Sequence, residues 1–195
     1  MINSKFTIVT FYQFKKIADI LIIKNELSRF CKFNKIKGTI ILAEEGINGT
    51  IAGISTSIKK FESHLLNIGF DNYSPKYSYS KFMPFFRLKV RNKKEIVTLR
   101  TKTVDPENIT GKKIKPEEWN SLISDKETIL VDVRNKFEVE MGTFKGSINP
   151  NTKSFTEFKS YLKNNLGKAK NKKIAMFCTG GIRCEKVSSY MIKKG

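Results

Sequence analysis

Ile174-Ala175-Met176-Phe177-Cys178-Thr179-Gly180-Gly181-Ile182-Arg183 runs from an apolar stretch into a cysteine, two glycines and an arginine. The apolar part reads as a buried strand, and Val187, Tyr190 and Met191 beyond it mark a helix. A strand that enters a glycine-bearing loop and then a helix suits α/β architecture, in which ligands gather at the carboxyl ends of strands. Cys178 falls at that place. Gly180 and Gly181 let the backbone curl and turn N–H groups toward the sulfur. The following helix directs its positive end to the same point, and Arg183 adds a permanent charge. Each effect favours thiolate over thiol, so the Cys178 pKa is expected below that of an ordinary thiol. The backbone of Thr179, Gly180, Gly181, Ile182 and Arg183 is then a cradle for a terminal sulfur or a bound oxyanion. The competing reading is a buried cysteine that merely ends a strand.

Working outward, residues 128–133 (Thr-Ile-Leu-Val-Asp-Val) form a second nearly continuous apolar run, as in the middle of a parallel sheet. Asp132 and Arg134 leave that strand on one face. They either support the Cys178 loop, face an anionic substrate, or form an ordinary ion pair at a strand end. Glu138 and Glu140 are read as holding the loop. Ser154 followed by Glu157 reads as a capping box. Phe155, Phe158, Leu162 and Leu166 continue a helix that Gly167 ends. Pro116 opens another helix, with Trp119, Leu122 and Ile123 as its buried side. Alternating strands and helices make this half α/β with a parallel sheet. Cys184, in the turn after the loop, either resolves an oxidised Cys178 as a disulfide or simply packs; packing is the preferred reading.

The first half has a different pattern. Thr7–Tyr12, Gly38–Ala43 and Ile47–Ala52 read as strands, with a mostly helical stretch up to Phe33 between the first two. Ile54, Ile58, Phe61, Leu65 and Ile68 form one apolar stripe on a helix that Gly69 closes. Phe85–Val90 and Glu95–Leu99 read as later strands. The order strand, helix, strand, strand, helix, strand suggests a ferredoxin-like or acylphosphatase-like α+β sandwich. Periodicity fades between Arg100 and Lys115, so the domains are placed at residues 1–110 and 111–195. Glu44-Glu45-Gly46-Ile47-Asn48-Gly49-Thr50 joins two strands and reads as a solvated hairpin rather than an acid–base pair. Arg87, Lys89, Arg91, Lys93 and Lys94 form a basic ladder near Phe82, Phe85 and Phe86, with Arg87, Lys89 and Arg91 as the candidate RNA-binding residues. It suits either RNA contact or a protected edge strand.

Composition sets outer limits. The chain of 195 residues carries a formal net charge of +19, which favours polyanion partners, although Lys, Asn and Ile codons rich in A and T account for part of the excess. No apolar run approaches the roughly 20 residues that span a bilayer, and the start has no signal-peptide core, so a cytoplasmic address is expected. Three cysteines, Cys31, Cys178 and Cys184, argue against a disulfide framework, and Cys31 reads as core. His64 is the single histidine, so neither a zinc site nor two histidines with a carboxylate for iron is expected, and it reads as a boundary residue. No Gly-x-Gly-x-x-Gly dinucleotide loop is present.

Six stretches, taken in order, carry a resemblance. They are Ala43–Thr50, Arg87–Arg91, Lys94–Val97, Asp132–Asn135 with Glu138, Gly146–Thr152 and Phe177–Lys186. Together they resemble the bacterial rhodanese-domain tRNA uridine hydroxylases, across essentially the whole chain. The resemblance implies an acylphosphatase-like domain followed by an α/β rhodanese domain. It implies oxygen-dependent conversion of uridine 34 in tRNA to 5-hydroxyuridine, with Cys178 as the persulfide-forming catalytic residue. Molecular oxygen would be a co-substrate, and no metal or flavin is implied. A rhodanese domain normally continues past the helix after its loop, so this one is expected to lack its final elements. Two other functions remain open: sulfur transfer from thiosulfate or a persulfide, and RNA binding without catalysis. Nothing in the residues sets the oligomeric state.

Overall fold

A computed structural model describes residues 5–101, 104–169 and 172–195. The chain divides into two compact units, Met1–Ile96 and Val97–Gly195.

The first unit is built on a five-stranded sheet. Strand β1 (Phe6–Phe14), helix α1 (Ile20–Phe33), strands β2 (Lys37–Ala43) and β3 (Gly46–Gly53), helix α2 (Ser55–Asn67) and strand β4 (Lys76–Ser80) follow the expected order, and β5 (Leu88–Asn92) is added after it. The strands lie in the order β4-β1-β3-β2-β5. All neighbours are antiparallel except β2 and β5. Both helices contribute to one core with alternate strand residues. Leu27 and Cys31 of α1 and Ile58, Phe61 and Leu65 of α2 meet Val9, Phe11, Ile40, Leu42, Ile47 and Ile51. Strand alternation places those side chains on a single face. Asp19 caps α1 by accepting from the Ile22 amide at 3.0 Å. Gly69 ends α2 with φ +92°, as the apolar stripe predicts.

The hairpin between β2 and β3 is not a solvated ornament. Gly49 faces Phe11 across the β1–β3 ladder, and a Cβ there would lie 2.7 Å from the Phe11 ring and 3.0 Å from the Thr39 carbonyl. Gly46, with φ +143°, has the Gln13 carbonyl where a Cβ would stand. Glu45 accepts from the Ile96 amide at 2.7 Å, and the Asn48 side chain donates to the Ile96 carbonyl at 3.0 Å. These polar residues thus tie down the last residue of the first unit.

The second unit contains α3 (Pro116–Ser124), β6 (Thr128–Asp132), α4 (Lys136–Glu140), a 3-10 turn at Phe155–Glu157, α5 (Phe158–Ala169), β7 (Lys173–Phe177) and α6 (Ile182–Ile192). β6 and β7 pair in parallel, and Ile148 bridges to Val131 on the other side of β6. Leu99, Val131, Val133, Phe155, Phe158, Leu162, Val187 and Tyr190 form the core.

By compactness the chain divides between Ile96 and Val97. The segment after Val97 is bound to α6: buried Lys186 donates to the Val97 carbonyl at 2.8 Å, and Ser189 accepts from the Asp105 amide at 2.8 Å. Several sequence expectations are corrected. Residues 95–99 form no strand: the buried Ile96 has its amide and carbonyl taken by Glu45 and Asn48, while Leu99 joins the core of the second unit. The run from Phe85 starts pairing only at Leu88, and the Tyr-rich Lys76–Ser80 segment supplies β4 instead. Gly167 does not end α5, which continues to Ala169. Ser154 makes no side-chain cap; Glu157 accepts from the Lys153 amide at 2.8 Å. Trp119, Leu122 and Ile123 are half-buried rather than buried.

Candidate active site

β7 ends at Phe177 and α6 begins at Ile182, so Cys178 stands at the mouth of a four-residue turn at the carboxyl end of a parallel strand. Gly181, with φ +97°, occupies the position before the helix and turns its amide back onto the Cys178 Sγ at 3.1 Å. Cys184, in the first turn of α6, also bonds to that sulfur through both its amide and its thiol. The Cys184 thiol donor, the Cys184 and Gly181 amides and the Arg183 charge together outweigh burial and bring the Cys178 pKa down to about 5. The neighbouring thiol moves the opposite way. The hydrogen bond to Cys178, burial and the adjacent negative charge push Cys184 up, so it stays protonated as the donor. Cys31 is sealed in the first core, and burial pushes it up to about 12.

Arg183 is held by Glu138 from α4. Its two terminal nitrogens donate to the two carboxylate oxygens at 2.6 and 2.8 Å, a planar fork. The Thr179 hydroxyl donates to Glu138 at 2.7 Å, and the Asn135 amide donates to it at 3.1 Å. The Arg183 fork leads these bonds, which overcome burial and hold the Glu138 carboxyl down at about 2. Glu140 takes no part and lies 3.9 Å from Lys136 on the exposed side of α4.

Asp132, fully buried at the end of β6, accepts from the Arg134 amide at 3.0 Å, from its guanidinium at 2.6 Å and from the Thr143 hydroxyl at 2.8 Å. Burial opposes ionisation there, but these bonds prevail and keep Asp132 below the usual carboxylate range. Arg134 also donates to the Gly142 carbonyl at 2.6 Å and lies 5.5 Å over the Phe177 ring. The Asp132–Arg134 pair is therefore an ion pair at a strand end that also shapes the site. Arg134, Gly142, Thr143, Phe144, Phe177, Cys178 and Thr179 enclose a cleft of roughly 400 Å³. Phe144 meets Phe177 edge to face at 4.8 Å, and Trp119 packs on both.

Of the expected cradle, Gly181 reaches the sulfur by its amide and Arg183 by its side chain. Thr179 turns its hydroxyl to Glu138, Gly180 lies beside open space, and Ile182 starts α6. Sequence reasoning missed Thr143, Phe144 and the inward donor role of Cys184. The first two lie in an aperiodic loop that offers no pattern to read. Arg87, Lys89 and Arg91 belong to the other unit, on the edge strand β5 and the residue before it. Leu88 and Val90, which alternate with them, pack against the first core. Phe82 and Phe86 nearby are exposed, Phe86 completely. His64 stacks on Phe30 at 4.1 Å and lies 3.3 Å from Glu26, within the first unit. Among the described residues no cluster of three or more His, Cys, Asp or Glu is placed to hold a metal ion. No described helix is long and apolar enough to cross a membrane.

A mixed α+β sandwich followed by an α/β unit with an ionised cysteine in a strand-to-helix turn defines an acylphosphatase-like domain joined to a rhodanese-like domain. The family comparisons agree: residues 6–96 match the UPF0176 acylphosphatase-like domain and residues 115–195 match the rhodanese-like domain. Among solved structures, an acylphosphatase from Coxiella burnetii is similar at 11% identity and TM-score 0.34, over 47% of this chain and 100% of that one. Full-length HypF in its phosphate- and nucleotide-bound form is similar at 11% identity and TM-score 0.38, over 47% of this chain and 13% of that one. A bacterial light-regulated adenylyl cyclase is similar at 12% identity and TM-score 0.37, over 45% of this chain and 28% of that one.

Proposed function

We propose that this protein is a tRNA-modifying enzyme that hydroxylates uridine 34 to 5-hydroxyuridine with molecular oxygen, using Cys178 in the cytoplasm. The observation that carries the reading is Cys178 at the rim of an aromatic-walled cleft, with the Gly181 amide on its sulfur at 3.1 Å, in a chain that joins a rhodanese-like domain to a UPF0176-type domain. The resemblance of the hairpin and loop motifs to the hydroxylase family supplies the reaction. The chemistry is compatible with it. A cleft of roughly 400 Å³ accommodates a pyrimidine turned out of its stack, with Phe144 and Phe177 as apolar walls. A thiolate there can add to the uracil ring and make C5 electron-rich. Arg87, Lys89 and Arg91 would hold the phosphate backbone, with Phe82 and Phe86 as stacking surfaces.

The test is nucleoside mass analysis of tRNA from a strain lacking the gene, complemented by the natural chain or by Cys178→Ser. Hydroxyuridine restored by the first and not the second supports the reading. Hydroxyuridine that persists without the gene, in a strain with no second route to it, overturns it.

Sulfur transfer is the second reading, favoured by the loop alone. A thiolate fed by amide donors and held beside Arg183 is suited to carrying a terminal sulfur. Cyanide-dependent thiocyanate release that vanishes in Cys178→Ser would favour it.

A further inference from the structure

Cys184 lies at the sixth position after Cys178 and is not used as a nucleophile in the chemistry above. Two features set it apart from a packing residue. It stands in the first turn of α6, directly after the turn whose Gly181 amide reaches the Cys178 sulfur at 3.1 Å, and both cysteines are partly exposed while Cys31 is buried. We propose that Cys178 and Cys184 are a redox-active dithiol that closes to an intramolecular disulfide.

The geometry makes closure short. Cys178 follows β7 directly and Cys184 lies in the first turn of α6, with the Gly181 amide between them on the Cys178 Sγ at 3.1 Å; a disulfide requires sulfurs about 2.05 Å apart. The turn between them has room to adjust, since a Cβ at Gly180 would meet nothing within 4 Å.

The electrostatics set an order of events. While Cys178 is a thiolate, its charge keeps the Cys184 proton in place. A peroxide converts the thiolate to a sulfenic acid: the sulfur takes the terminal oxygen, the O–O bond breaks, and hydroxide leaves. The charge that held the Cys184 proton is then gone. The Cys184 sulfur attacks the sulfenic sulfur, the S–O bond breaks, and the Cys184 proton leaves with the hydroxyl as water. The two sulfurs have each lost one electron, and the peroxide has gained two.

The same pair answers an electron shortage in the proposed reaction, a step that rests on the hydroxylation reading. Oxygen accepts four electrons when one atom enters C5–OH and the other becomes water. The C–H bond supplies two. A dithiol closing to a disulfide supplies the other two, with its two protons going to water, so uridine, oxygen and dithiol become hydroxyuridine, water and disulfide.

The experiment begins with the full chain alone, treated with one equivalent of hydrogen peroxide, alkylated and mapped by mass spectrometry. The expected result is a peptide in which Cys178 and Cys184 are joined, reopened by dithiothreitol. Cys184→Ser, which keeps a hydroxyl donor but cannot close, should instead accumulate a dimedone-reactive sulfenic acid on Cys178. A natural chain that stops at sulfenic or sulfinic Cys178, with Cys184 still alkylatable, overturns the dithiol. A second arm gives the chain one turnover of tRNA and oxygen without added thiol. One disulfide per hydroxyuridine supports the electron-supplying role; hydroxyuridine formed with both thiols intact overturns it. A disulfide with peroxide but no hydroxyuridine under any reductant supports the dithiol and sinks only the hydroxylation reading.

Discussion

Cys178 owes its ionisation first to the Cys184 thiol, then to the amides of Cys184 and Gly181, and then to Arg183. Its alkylation by iodoacetamide should therefore rise through an apparent pKa of about 5 and be flat at neutral pH. Cys184→Ala removes the leading donor, so the midpoint should move upward toward an ordinary thiol. An unchanged midpoint would show that the amides and Arg183 suffice. Glu138 has a separate signature. Its folded pKa of about 2 lies below its unfolded value near 4.5, so its contribution to stability is complete above the higher value. That contribution fades as pH falls from about 4.5 toward about 2. Glu138→Gln leaves Arg183 with a neutral partner and should cost about 2 kcal/mol at neutral pH, less as pH drops. Urea melts of both forms across that range check the sign. A difference that grows in acid would contradict it.

At the scale of elements, the β2–β3 hairpin is the most constrained piece of the first unit. Gly49→Ala would place a Cβ 2.7 Å from the Phe11 ring and 3.0 Å from the Thr39 carbonyl, with backbone on one side and a buried ring on the other. Overpacking of that kind should lower stability by about 1 to 3 kcal/mol, read by thermal or urea unfolding. Phe11→Leu should recover part of the loss in the double variant, because the ring is the closest obstacle. The apolar alternation of β1, β2 and β3 and the stripe on α2 were legible in sequence because each buries one face. β4 was not, since Lys76–Ser80 is largely exposed and gives no alternation to read. The Glu95–Leu99 run misled for the converse reason. Ile96 and Leu99 are buried, but the Ile96 backbone is bonded by Glu45 and Asn48 and Leu99 belongs to the second core, so no ladder forms. The Cys178 loop was legible because chemistry, not packing, brings glycines and arginine together there. The Glu138 fork was legible only as a loop support, since its partner lies 45 residues away.

At the scale of the molecule, a net charge of +19 alone would draw any polyanion, so affinity for tRNA is a weak test of a built RNA surface. The salt dependence is stronger. Each phosphate neutralised by a basic side chain adds about 0.7 to 0.9 to the slope of log affinity against log salt. If Arg87, Lys89 and Arg91 each meet a phosphate, replacing all three by Gln should flatten that slope by about 2 to 3. Lys32, Lys59 and Lys60 provide the control. They are exposed on α1 and α2, and the same three charges removed there alter the overall field equally. A diffuse electrostatic attraction predicts equal effects from both triple variants. A phosphate-binding edge on β5 predicts that the first variant loses affinity and slope together while the second stays close to the natural chain. Filter binding of tRNA over a series of salt concentrations decides between them. The exposed Phe82 and Phe86 give the same surface a salt-independent component. Phe86→Ala should weaken binding of single-stranded RNA without changing the slope, and a changed slope would mean that the ring acts by placing Arg87 rather than by stacking.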